Sequence, residues 1–195
     1  MNEKKTNIVR LALILILIAI PNLAMTPSKK VVYLQESKVT INIKEKKMYD
    51  EWNKAYNNLV DSIKLHEKYM SEPYKCPSGQ LTVGYGHAIK VTDHFKYPMS
   101  EKTADSLLKS DLNVALEYVK KTTPLKHKQL LAMGHFVFCL GSGNFNKSNL
   151  KKVILDKKPI DDELMRWVHI QTSRGKVTST FLKRIRQMEL ELFKS

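Results

Sequence analysis

From Tyr74 to His87 the chain reads Tyr-Lys-Cys-Pro-Ser-Gly-Gln-Leu-Thr-Val-Gly-Tyr-Gly-His, and no helix can run through that stretch. Its Gly, Pro and Ser residues alternate with β-formers, which predicts short strands, tight turns and at least one hairpin. The flanking segments have another period. Met48, Trp52, Tyr56, Leu59, Val60, Ile63, Leu65 and Tyr69 recur near 3.6 residues, predicting a helix from about Lys44 that ends before Pro73. Beyond Pro98, Ser100 is a good N-cap, and Ala104, Leu107, Leu108, Leu112, Ala115 and Val119 form one apolar stripe broken at Pro124. A second apolar helix is expected over residues 126–140, stopped by Gly141-Ser142-Gly143, with shorter helices near 147–156 and 160–170. A last helix is expected over 179–193, turning Phe181, Leu182, Ile185, Met188, Leu192 and Phe193 inward. A helical chain with a small β-hairpin lobe is an α+β arrangement.

The 195 residues suffice for one well-buried domain. Lys plus Arg number 33 against 19 for Asp plus Glu, a net +14. Such a chain is drawn to nucleic acid, anionic lipid or an acidic wall polymer. The N-terminus narrows that choice. Lys4, Lys5 and Arg10 precede an unbroken apolar run from Leu11 to Ile20, followed by Pro21-Asn22-Leu23-Ala24. A cationic start, a short apolar core and a nearby Ala fit a secretory leader. The run falls short of the roughly 20 apolar residues that a spanning helix needs. Residues 1–24 therefore read as a signal peptide or membrane anchor, 25–44 as a polar tether, and 45–195 as the folded domain. Taking the leader's net +2 from +14 leaves +12 on the remainder. Outside the cytoplasmic membrane that charge meets peptidoglycan carboxylates, not chromosomal DNA. No aromatic–basic motif or DNA-reading helix is visible, so nucleic acid is not an expected partner. The expected state is an exported monomer: periplasmic, secreted, or touching the membrane through its N-terminal apolar segment. The His and Cys residues show no metal-ligand spacing, so neither metal nor cofactor is expected.

Three polar residues stand at the junction of helix and hairpin: Glu67, Cys76 nine positions on, and Thr82 six beyond that. Hydrolysing a glycosidic bond needs one acid to protonate the leaving oxygen and a second polar group near the anomeric carbon. A glutamate at a helix end, under an apolar wall, can keep its proton and act as that acid. Cys76 and Thr82, carried back by the hairpin, can grip a water on the other face.

Glu67, eight residues, Cys76, five residues, then Thr82 leading into Gly84-Tyr85-Gly86-His87, resembles the signature of the phage-type lysozyme (endolysin) family, glycoside hydrolase family 24. Gln129 through Phe138, Leu140, Gly141 through Phe145 and Ser148 resemble the family's helix, glycine break and following segment. Arg166-Trp167 and Arg184 through Glu189 make a third match in the family's order, and the likeness covers about residues 55–195. The resemblance implies a lysozyme-like α+β fold with the hairpin lobe at the active-site cleft. It implies a muramidase that cleaves the β-1,4 bond between N-acetylmuramic acid and N-acetylglucosamine with inversion, needing no cofactor. Glu67 is then the proton donor, while Cys76 and Thr82 position or activate the water. His87 ties the turn to an acidic partner beside Tyr85, and Phe138 and Trp167 are core or cleft wall. A basic residue follows the Trp of the late helix near the glutamate, and Arg174 is favoured over Lys176 for it. Cys76 stands where commoner members have Asp. A protein that keeps the fold and binds the wall without cleaving it is the competing reading. Export permits a Cys76–Cys139 disulfide, but that bond would tie up the sulfur, so a reduced, partly accessible Cys76 is expected.

Overall fold

Helix α1 (Ile43–Glu67) buries Leu59, Val60 and Ile63 and stops well short of Pro73. The stop is made by Lys68, whose φ of +56° is left-handed, the conformation that closes many helices. Two members of the expected stripe are corrected: Met48 is 46% exposed and Leu65 is 79% exposed. Leu65 follows the buried Ile63 by two positions, which turns it about 200° around the helix and away from the core. The structure, a computed structural model, describes residues 43–76, 79–172 and 175–195. The leader, the tether up to residue 42 and Arg174 thus lie outside the described residues. No described helix is long and apolar enough to cross a membrane.

Pro73 falls inside a strand. β1 (Met70–Lys75), β2 (Leu81–Gly84) and β3 (His87–Ala88) form one antiparallel sheet in that order. Tyr74 pairs with Thr82 and Lys75 with Leu81. The turn between them closes when the Cys76 N–H donates to Gln80 O at 2.9 Å and the Gly79 N–H to Cys76 O at 2.8 Å. The return into β3 is made at Gly86, whose φ of +86° favours glycine.

α2 (Glu101–Thr122) starts at Ser100, whose Oγ accepts the Thr103 N–H at 3.1 Å, and ends before Pro124. Its buried stripe includes Ala104, Leu108, Leu112, Ala115 and Val119. α3 (His127–Leu140) lies across it so closely that a Cβ on Gly134 would come within 2.3 Å of Leu116 Cδ2. The helix expected over 147–156 is α5 (Asn149–Leu155), capped by Ser148, and a short α4 (Ser142–Lys147) that was not expected precedes it at the glycine break.

The helix expected over 160–170 is corrected. α6 (Asp161–Met165) is short, and β4 (His169–Thr172) pairs antiparallel with β5 (Gly175–Thr178). Ile170 and Val177 are 45% and 41% exposed, so this hairpin lacks the buried alternation that reveals a strand. α7 (Thr180–Lys194) closes the chain, capped by Ser179. Its inward face also departs from expectation: Arg186 and Glu189 are buried beside Ile185 and Leu190, while Phe181 is exposed, edge-on to His66 at 5.5 Å.

Two apolar cores result. One joins α1, the three-stranded sheet and α2 through Ile63, Val83, Met99 and Leu108. The other gathers α3 to α7 around Phe136, Phe145, Leu150 and Leu164.

Candidate active site

Glu67, the last residue of α1, is half-buried, and the turn at Gly86 presses against it. A Cβ at Gly86 would stand 3.2 Å from Glu67 Oε2, so a glycine is what lets the hairpin cover the carboxyl. A cavity of about 430 Å³ opens here, lined by Glu67, Gly86, His87, Asp111, Phe138 and Cys139 among others. Burial pushes the Glu67 carboxyl above its ordinary pKa, and the charges of His135 and His66 work against that rise. A carboxyl that keeps its proton beyond the usual range is suited to general acid catalysis.

The hairpin supplies a polar face. Tyr74 and Thr82 are cross-strand partners, so their side chains share one side of the sheet, and Cys76, two residues past Tyr74, returns to that side. Thr82 is buried, and its Oγ1 donates to Gln80 O at 3.1 Å. Burial raises the Tyr74 hydroxyl pKa, and the Glu67 and Cys76 side chains raise it further, so Tyr74 lies within electrostatic reach of both. Tyr74 was not singled out by sequence reasoning; the alternation 74, 76 with 82 opposite is the signal that marks it. Neither Cys76 nor Thr82 lines the 430 Å³ cavity itself. No disulfide joins Cys76, which is half-buried, to Cys139, which is exposed.

The supporting residues divide. His87 is buried between two carboxylates, Nδ1 at 2.6 Å from Asp111 Oδ2 and Nε2 at 3.0 Å from Asp93 Oδ2. The His87 contact, with the Lys90 N–H, holds the Asp93 carboxyl below its usual range. Tyr85 does not face the cavity. It packs in the first core and donates its hydroxyl to Glu101 Oε1 at 2.6 Å, bracing the turn from behind. Phe138 is cavity wall, stacked on His135 at 6.4 Å. Trp167 belongs to the second core, edge-on to Phe136 at 5.4 Å.

His135 and its neighbours were not anticipated. His135 Nδ1 lies 2.7 Å from Glu189 Oε1, and its Nε2 lies 3.5 Å from Cys139 Sγ. Burial opposes a charge on this imidazole, but Cys139 and Glu189 outweigh it and push the pKa up to about 10. Arg186 Nη1 approaches Glu189 Oε2 at 3.2 Å as an ion pair without an aligned hydrogen bond, its guanidinium lying over Phe136. One donor atom each from His135, Cys139 and Glu189 lies within 4.8 Å of the others. Linear spacing conceals this, because Glu189 arrives on α7, far along the chain from α3.

Comparison with known proteins places these features. The sequence profile of the phage lysozyme family matches residues 64–189. The muramidase domain of SpmX from Asticaccaulis excentricus superposes with a TM-score of 0.62 at 25% identity, covering 71% of this chain and 95% of that one. An endolysin from Escherichia coli O157:H7 phage FAHEc1 superposes with a TM-score of 0.59 at 23% identity, covering 69% and 89%. A search of curated proteins gave no match. The family match spans the hairpin, the cleft helices and the buried Glu189, and on it the chain, with its lysozyme-like α+β fold, belongs to the phage lysozyme family of peptidoglycan hydrolases.

Proposed function

We propose that this protein is a muramidase that hydrolyses the β-1,4 bond between N-acetylmuramic acid and N-acetylglucosamine in peptidoglycan, with inversion at the anomeric carbon. The observation that carries this reading is Glu67: half-buried, at the cavity, with a carboxyl whose pKa burial raises. In the proposed step, the Glu67 carboxyl gives its proton to the leaving glycosidic oxygen while a water attacks from the opposite face. Thr82 has its own hydroxyl hydrogen committed to Gln80 O, so its oxygen is left to accept a hydrogen of that water. Cys76 shares that face, and in its thiolate form its sulfur takes the water's proton and becomes the thiol, where commoner members have Asp. His87, held by Asp93 and Asp111, fixes the turn that lays Gly86 on Glu67. The chemistry needs no cofactor, and the same reading has residues 1–24 exporting a monomer to the wall.

The products test this. Purified peptidoglycan is digested and the new reducing ends are converted to alditols with borohydride. Muramitol ends, preceded by the α-anomer in fresh digests, are expected. Glucosaminitol ends would assign the other bond, and binding without new ends would make the protein a wall-binding relative.

A further inference from the structure

His135 and Cys139 lie one turn apart on α3, so their side chains leave the helix on the same face. His135 is 2% exposed, whereas Cys139 is exposed and lines the cavity that contains Glu67. The buried Glu189 accepts from the imidazole Nδ1 at 2.7 Å. That leaves Nε2 as the ring atom facing the thiol. A carboxylate behind one ring nitrogen is how metal-binding histidines are ordinarily oriented.

The separation across the pair is informative. A tetrahedral cation of the zinc class takes sulfur at about 2.3 Å and imidazole nitrogen at about 2.0–2.1 Å, which at the tetrahedral angle puts the two donors about 3.5 Å apart. Cys139 Sγ and His135 Nε2 are 3.5 Å apart. That separation, which also suits a direct hydrogen bond between the two, matches the span of two donors on one such ion. Cys139 also sits in the last turn of α3, which ends at Leu140, and the carbonyl end of a helix favours a cation. The order Cys–His–Glu could equally describe a nucleophile, its base and an orienting acid. A nucleophilic cysteine builds negative charge on its substrate, though, and the carbonyl end of a helix opposes that charge.

We propose that Cys139 and His135, with Glu189 holding the imidazole, bind a thiophilic divalent cation of the zinc class in the wall of the cleft, and that the bound ion obstructs the cleft. Solvent completes the coordination sphere. On binding, the one proton held between Sγ and Nε2 leaves to solvent and the cation takes its place. The obstruction, though not the binding, rests on the muramidase reading.

Cobalt(II) serves as the probe, added to the reduced full-length chain. A sulfur-to-cobalt charge-transfer band and the visible bands of tetrahedral cobalt are expected at one equivalent, and zinc should displace them. Cys139→Ser should lose the charge-transfer band and Cys76→Ser should keep it. His135→Gln should weaken binding at least about tenfold. A folded wild type with no band, or a band that survives in Cys139→Ser, overturns the site. Zinc should slow peptidoglycan turnover in the wild type and not in Cys139→Ser, each measured against its own metal-free rate. Equal inhibition of both overturns the obstruction. The cobalt bands read out whether or not the protein turns over peptidoglycan, so the two readings fail separately.

Discussion

Glu67 is held above its ordinary pKa by burial, and that links catalysis to stability at a single residue. An acid whose folded pKa exceeds its unfolded one disfavours folding once pH lies above the folded value, and the penalty fades as pH falls below both. Glu67→Gln should therefore melt above the wild type near neutral pH, with the gap narrowing toward acid. Equal melting temperatures at neutral pH would show that burial does not penalise this carboxylate. Cys76 makes a second prediction. Cys76→Asp should retain or raise turnover, and Cys76→Ala should lose much more, because the water opposite Glu67 would lose its partner. If Cys76→Ala turns over as fast as the wild type, Thr82 positions the water alone.

Among the elements, the α2–α3 contact is the tightest point of the frame that carries both the cleft and the His135 cluster. Alanine is the better helix former by about 1 kcal/mol, yet Gly134→Ala places a Cβ 2.3 Å from Leu116 Cδ2. Overpacking of this kind costs about 1–3 kcal/mol, so the variant should melt lower, and the double variant with Leu116→Ala should be destabilised by less than the sum of the two single effects. Strict additivity in that cycle would mean the helices have separated. The long helices were legible because a 3.6-residue stripe and the Ser100 cap survive in the linear pattern. The first hairpin was legible from its glycines, and the junction where Glu67, Cys76 and Thr82 stand from the change of period there. The β4–β5 hairpin was not, since it is short and exposed on both sides. Met48, Leu65 and Phe181 misled because apolar character alone does not say which side of a helix is covered. Glu189 and Arg186 lie outside the apolar pattern of α7, and only its docking brings them against His135 and Phe136.

At the scale of the whole molecule, a chain carrying +12 beyond residue 24 should adhere to an acidic wall through many weak charges. Such contacts are screened over about 8–10 Å at ordinary ionic strength. Sedimentation with intact sacculi should show binding that falls steadily as salt rises; salt-independent retention would place adhesion in specific contacts instead. Adhesion only brings the cleft to its substrate, and the account stands on what Glu67 does there. The direct measurement is reducing-end release from purified peptidoglycan by the wild type and by Glu67→Gln, both verified as folded. A loss of at least about a hundredfold in the variant, the scale of a missing general acid, is the result expected. Turnover by Glu67→Gln close to the wild-type rate would contradict the account.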